Sequence, residues 1–221
     1  ASLIIVMVLS TVYGPVTAVP IATLSGLPAM VQLLPNAVRY SERAFVVPFG
    51  LASFIAAPLG TWFLIASEPE VMKISISAFV LLMVAMLHQG WKLPTGAGTG
   101  VFTAAGVVSG LVQGSAGVGG PPAVAIALSR PGTTEQQRAN VIGAVSALSV
   151  CSVPALWLHD LFNREVILIS LVLFPLYFGG TWLGAQFFSG NGHRHFRNGA
   201  LLILAVIGMA TLGLAVRDYA F

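Results

Sequence analysis

The sequence predicts an all-α, polytopic membrane protein of about ten helical segments in two inverted-topology repeats, each with a short broken or re-entrant helix. Three observations predict it. Charged residues make up 8% of the 221 residues against 57% hydrophobic, whereas a soluble domain carries roughly 25% charged residues, so lipid must be the solvent. Apolar runs of membrane length alternate with charged or Gly/Pro-rich breaks. The same landmarks also recur in the same order in both halves. Composition excludes disorder, a disulfide scaffold (Cys151 is the only cysteine) and a nucleic-acid partner. Ten scattered Lys and Arg, for a net charge of +3, form no patch dense enough to neutralise a run of phosphates.

In chain order, the first half offers segments over Leu3–Val12, Pro15–Leu24, Pro28–Tyr40, Ala44–Ser67 and Val71–Gln89. The opening run from Ala1 is already apolar and carries no charged leader, so the first helix is expected to begin before the given sequence. The second half offers Thr99–Gln113, Pro121–Arg130, Glu135–Leu158, Glu165–Phe188 and Phe196–Arg217. Crossing the hydrocarbon takes about 20 apolar residues. The last two segments of the first half and the last three of the second meet that length. Pro15–Leu24 and Pro121–Arg130 reach only half of it. Period-two alternation is absent from the apolar runs, which argues against strands.

Duplication rests on paired landmarks. Gly14-Pro15 opens one short segment and Gly120-Pro121-Pro122 the other. Gly60-Thr61-Trp62 recurs as Gly180-Thr181-Trp182, each late in a long helix that opens near an arginine, Arg43 or Arg164. The repeats are residues 1–93 and 94–221, together one transport domain. Charge decides their relative orientation. With inverted repeats, one side collects seven basic residues (Arg39, Arg43, Lys92, Arg130, Arg138, Arg194, Arg197) and the other three (Lys73, Arg164, Arg217); parallel repeats would give five against five. The positive-inside rule selects the inverted arrangement, with the Arg39 side cytoplasmic. Trp62, Trp91, Trp157 and Trp182 fall near helix ends, where an interfacial aromatic belt belongs.

A half-length helix leaves backbone polar groups at membrane depth, which survive only inside protein or beside a watery cavity. The second break, Gln113-Gly-Ser-Ala-Gly-Val-Gly-Gly-Pro-Pro122, combines glycines that tolerate positive φ with prolines suited to a first helical turn. Free amides and a positive helix end there suit an anion, expected at the midplane between the repeats. Candidate substrate-binding residues are therefore Gln113, Gly114, Ser115, Gly117, Gly119 and Gly120, with Tyr13 and Gly14 as a weaker counterpart. Arg138 with Asn140, and Arg39 with Asn36, are possible cationic partners, and Gln32 is a weaker candidate. Each has a plainer alternative. Glycines at Gly106, Gly110 and Gly114 also make a small-residue helix-packing stripe. Gln113 and Ser115 can bond neighbouring backbone, and both arginines can snorkel to the interface. Cys151 reads as an apolar filler, and His193 and His195 as part of a basic loop. No metal or cofactor is called for. No carboxylate falls mid-span, so export without obligatory proton coupling is expected.

The stretch Gly110-Leu-Val-Gln-Gly-Ser-Ala-Gly-Val-Gly-Gly-Pro-Pro122 with Arg138-Ala-Asn140, and Leu34-Pro-Asn-Ala-Val-Arg39 with Pro58-Leu-Gly-Thr-Trp62, resembles the sulfite exporter TauE/SafE family over essentially the whole chain. The resemblance implies an inner-membrane permease built from a duplicated unit that exports small oxyanions such as sulfite, thiosulfate or sulfonates. The first Gly-rich motif is reduced here to Tyr13-Gly14-Pro15, and the stretch around Leu24-Ser25-Gly26 is shorter than the family pattern. The expected partners are a small anionic substrate and membrane lipid; the oligomeric state is open, with a homodimer one option. Rival readings are a membrane-embedded serine enzyme, a non-transporting scaffold and a cation carrier. The first lacks a histidine near Ser115, since His88, His159, His193 and His195 lie at segment ends or in loops. The last lacks a mid-span carboxylate or a Met/His/Cys cluster.

Overall fold

The computed structural model describes residues 2–89, 98–129 and 133–188, and helical residues 206, 208–210, 212–214 and 217. Among the described residues eight helices have full ranges, in order: α1 (Ser2–Tyr13), α2 (Pro15–Tyr40), α3 (Arg43–Ala66), α4 (Pro69–His88), α5 (Thr99–Ala116), α6 (Gly120–Ser129), α7 (Thr134–Leu158) and α8 (Arg164–Phe188); the expected segment Phe196–Arg217 falls largely outside the described residues. No strand occurs among the described residues. Large apolar side chains cover the outside as well as the inside: Ile55 on α3 is 73% exposed and Leu176 on α8 is 70% exposed. Water would not tolerate that surface; hydrocarbon does. Helices α3 and, within α7, Gln136–Leu158 are long and apolar enough to cross a membrane. Trp62 and Trp157, both exposed, lie near the C-terminal ends of these two helices.

The first half departs from expectation. Pro15–Leu24 and Pro28–Tyr40 are not two segments but one helix of 26 residues, so the first half contains no half-length α2. Pro28 removes one helical amide donor, yet a helix remains the arrangement that satisfies most of the backbone where water is absent. Ser25 Oγ adds a bond to the Ile21 carbonyl at 2.8 Å. Gly26 is a packing position: a Cβ there would lie 3.4 Å from Tyr177 Oη of α8. The first break shrinks to Gly14, with φ +81°, and its carbonyl accepts from Ala18 N to start α2. The second break starts later than expected, at Gly117, and α6 has ten residues.

The central seam joins α3 and α5. Gly106, Gly110 and Gly114 recur every fourth residue on one face of α5, and a Cβ on them would collide with the carbonyls of Phe49, Ser53 and Ala57. Both series rise together, so the helices run parallel in backbone contact. From the other side, a Cβ on Gly60 would collide with the Leu111 carbonyl. Ser53 Oγ lies 2.8 Å from Phe49 O and 3.0 Å from Gly106 O, so one hydroxyl bridges the two helices. Thr61 Oγ1 does the same between Ala57 O and Gly114 O. Without a hydrophobic drive between helices in lipid, close contact and such bridges carry association. The seam is flanked by two apolar clusters. One holds Phe45, Phe49, Phe102, Ile126 and Leu148; the other holds Val6, Val19, Leu64, Met72 and Leu156.

Candidate functional site

Helix α5 runs three residues beyond its expected end, so Gln113, Gly114 and Ser115 are helical rather than part of the break. The chain turns at Gly117, whose φ of +67° is the left-handed conformation of a helix C-terminus, and its N–H donates to Gln113 O. It then doubles back. Gly119 lies directly on α5, where a Cβ would collide with Ser109 O and the Gln113 side chain. Gly119 N–H donates to Gln113 Oε1 at 2.9 Å. One side chain thus ties the start of α6 to the end of α5.

That bond sets the chemistry of the turn. A primary amide offers one acceptor oxygen and two N–H donors. Gln113 spends its oxygen on Gly119, which leaves the NH2 group as what it offers to anything else. Val118 and Gly120 N–H groups take no partner among the described residues. Pro121 and Pro122 have no N–H, so the first turn of α6 carries fewer amide donors than a helix start ordinarily does. On the α6 side of the turn, what remains is a small set of donors; the last carbonyls of α5 end on its other side. The Val118 amide was not singled out by sequence, since a valine between glycines carries no signal of its own.

The surroundings are closed on one side and open on the other. Gly117 is wedged against Val6 and Val19, where a Cβ would lie 3.4 Å from a methyl of each. Ala116 and Val118 belong to the apolar cluster with Met7, Leu64 and Leu156. A Cβ on Gly120 would meet nothing within 4 Å, and the same holds at Gly14. Tyr13, beside Gly14, is 47% exposed. Ser115 is half-buried and its Oγ is 3.5 Å from Val112 O, its own helix. Gly114 is occupied by the contact with α3.

Asn36, Arg39, Arg138 and Asn140 form a separate group. Asn140 is buried, and its Oδ1 accepts from Glu42 N at 2.7 Å. That bond caps α3 from α7 and places the N-terminus of α7 beside the α2–α3 corner. Gly143 packs on Ser41 and Val46 at the same place. Arg39 is exposed with its guanidinium 5.4 Å from the Tyr40 ring centre, and Arg138 is exposed. The side chain of Asn36 lies outside the described residues. Fifteen residues of α3 separate the Asn140 anchor at Glu42 from the Gly114 anchor at Ala57, about 22 Å at 1.5 Å per residue. No arginine side chain spans that distance, so the structure does not bring Arg39 or Arg138 to the glycine turn.

Asn140→Ala removes the acceptor of the part-buried Glu42 N–H. We expect a loss of about 1 kcal/mol, the net worth of a typical hydrogen bond, read as a lower unfolding temperature in detergent. Arg138→Ala, two residues away and exposed, should leave that temperature unchanged.

In comparison with known proteins, the family model described as sulfite exporter TauE/SafE matches residues 1–211. No curated protein and no solved structure matches the chain.

Proposed function

The chain belongs to the sulfite exporter TauE/SafE family, a family of membrane transporters, and on that premise we propose that it exports a small sulfur-containing or organic oxyanion bound at the turn between α5 and α6. The observation that carries this reading is the Gln113 Oε1–Gly119 N bond. It consumes the acceptor of the carboxamide and leaves donors on the α6 side of the turn: the Gln113 NH2 and the Val118 and Gly120 amides. Donors without a fixed counter-charge suit an oxyanion that must also leave. Gly60, about 8 Å along α3 from its middle at 1.5 Å per residue, lies against Ser115, and the turn that follows shares a cluster with Leu64, so we place the anion nearer the Ala66 end than the midplane.

The two halves are, in this reading, inverted repeats in the inner membrane. Arg39, Arg43 and Arg138 share the end marked by the Asn140–Glu42 bond. The opposite end gathers Leu64, Met72, Leu156 and Phe162 in one cluster, with Arg164 two residues beyond. The helices that open on Arg43 and Arg164 therefore start from opposite ends, as inversion requires. The positive-inside rule makes the Arg39 end cytoplasmic. A negative interior expels each elementary charge with about 2.3 kcal/mol per 100 mV, against about 1.4 kcal/mol for a tenfold gradient. Voltage alone is sufficient to drive efflux.

Proteoliposomes test this. Sulfite or a simple sulfonate should leave under an imposed potential with no pH gradient, and reversing the potential should reverse the net flux. Flux that stops when the pH gradient is removed at constant voltage would make the transport proton-coupled and end the reading of voltage-driven export.

A further inference from the structure

We propose that Ser109 is a substrate-contacting donor of the same site, hidden beneath the first turn of α6 and delivered to the anion when the Gln113–Gly119 bond opens. The inference rests on the anion-site reading above and adds a residue to it. Ser109 lies four residues before Gln113, on the same face of α5. Its own carbonyl is where the Gly119 backbone lies, with no room for a Cβ between them. The side chain is fully buried. Its Oγ is the sealed side-chain polar atom that lacks a hydrogen-bond partner among the described residues.

That is unusual within this molecule. The buried hydroxyls of Ser25, Ser53, Thr61, Ser152 and Ser170 all lie on a carbonyl of the preceding turn. A helical serine has this partner always within reach. Ser109 forgoes it and keeps a buried hydroxyl without a bond, a state that costs stability. An alanine would fit the same packing at lower cost, so the hydroxyl has no role in holding this conformation. A role in a second conformation accounts for it.

The geometry supplies that conformation with a single moving contact. Gly119 lies against the Ser109 carbonyl and is held to α5 by Gln113 Oε1. If an oxyanion takes the Gly119 amide, the carboxamide is released and the start of α6 lifts. The Ser109 hydroxyl, the Gln113 amide and the Gly119 N–H then face one ligand from one helix face and one turn. The i, i+4 spacing of Ser109 and Gln113 was the signal in the sequence. The candidates read from the glycine run, Gln113 to Gly120, lie four to eleven residues further along.

The experiment is sulfite titration of the purified full chain, followed by thermal shift and by proteoliposome flux. Ser109→Ala, Ser109→Cys and Gln113→Leu are compared with the unaltered protein. Ser109→Ala should weaken apparent sulfite affinity five- to tenfold while its ligand-free unfolding temperature stays level or rises. Ser109→Cys, a weaker donor of similar size, should fall between. Affinity within twofold of the unaltered protein, or a lowered ligand-free unfolding temperature, would overturn the assignment. Gln113→Leu separates the two levels of the argument: if it alone loses binding, only the Ser109 role fails. If neither variant loses binding, the anion site at the turn fails with it.

Discussion

Gly114→Ala, like Gly60→Ala, should be among the most costly single methyl additions to the described residues. The new Cβ would collide with the Ala57 carbonyl, and the atoms next nearest are the Ala57 carbonyl carbon and the Thr61 backbone nitrogen. Nothing in that set is a side chain able to rotate away. Helices α3 and α5 must separate along the seam, which also breaks the Thr61 bridge to the Gly114 carbonyl and loosens the contacts of Gly106 and Gly110. Overpacking a well-fitted core costs typically 1–3 kcal/mol where side chains can shift; with backbone on both sides the loss should reach or exceed about 3 kcal/mol. Expected are a sharp fall in unfolding temperature and loss of the monodisperse peak in detergent. Gly100→Ala is the control on the same helix. It meets open space and should be neutral or stabilising by up to about 1 kcal/mol through helix propensity. Ala57→Gly should not rescue Gly114→Ala, because the colliding atom is backbone. Equal behaviour of the two glycine variants would mean that the parallel seam does not exist in the membrane.

This result bears on what the sequence made legible. Hydropathy runs and their breaks located seven of the helices to within a few residues, because in lipid the length of an apolar run and the identity of a helix are nearly one constraint. The stripe of Gly106, Gly110 and Gly114 was readable as packing by its spacing, and the α3–α5 seam is that packing. What spacing does not carry is the partner: neither Phe49, Ser53 nor Ala57 announces that it faces a glycine. Gly26 and Pro28 pointed to a break where there is none, since local breakers yield to the cost of unpaired backbone. At the turn, the glycines and prolines were legible and the lock was not. Whether Gln113 turns its oxygen toward a ligand or toward Gly119 depends on how the chain folds back, a six-residue loop closure no pattern records. Arg138 and Asn140 were grouped with the turn by motif order; the Asn140–Glu42 bond places them at the far end of α3 instead.

Gln113→Glu should abolish anion transport while leaving the fold in place, and so separates the two roles of this side chain. A glutamate carboxylate still accepts from Gly119 N–H, so the tie between α5 and α6 is kept. Both N–H donors are lost, and a negative charge now stands where the anion would bind. Two unit charges about 4 Å apart at an effective dielectric near 20 repel by about 4 kcal/mol, close to a thousandfold in affinity at 1.4 kcal/mol per tenfold. Flux of a simple sulfonate, which stays ionised across the range, should fall at least about a hundredfold at neutral and alkaline pH. Unfolding temperature should stay near that of the unaltered protein. Lowering the pH gives the sign test. A neutral carboxylic acid offers an O–H donor and no charge, so sulfonate flux through Gln113→Glu should recover as the pH falls and its carboxyl takes up a proton. Gln113→Leu has no such proton to gain and should stay inactive throughout, with a lower unfolding temperature because the Gly119 amide loses its partner. Sulfonate flux through Gln113→Glu that matches the unaltered protein at alkaline pH would remove Gln113 from the transport path and leave it a purely structural clasp.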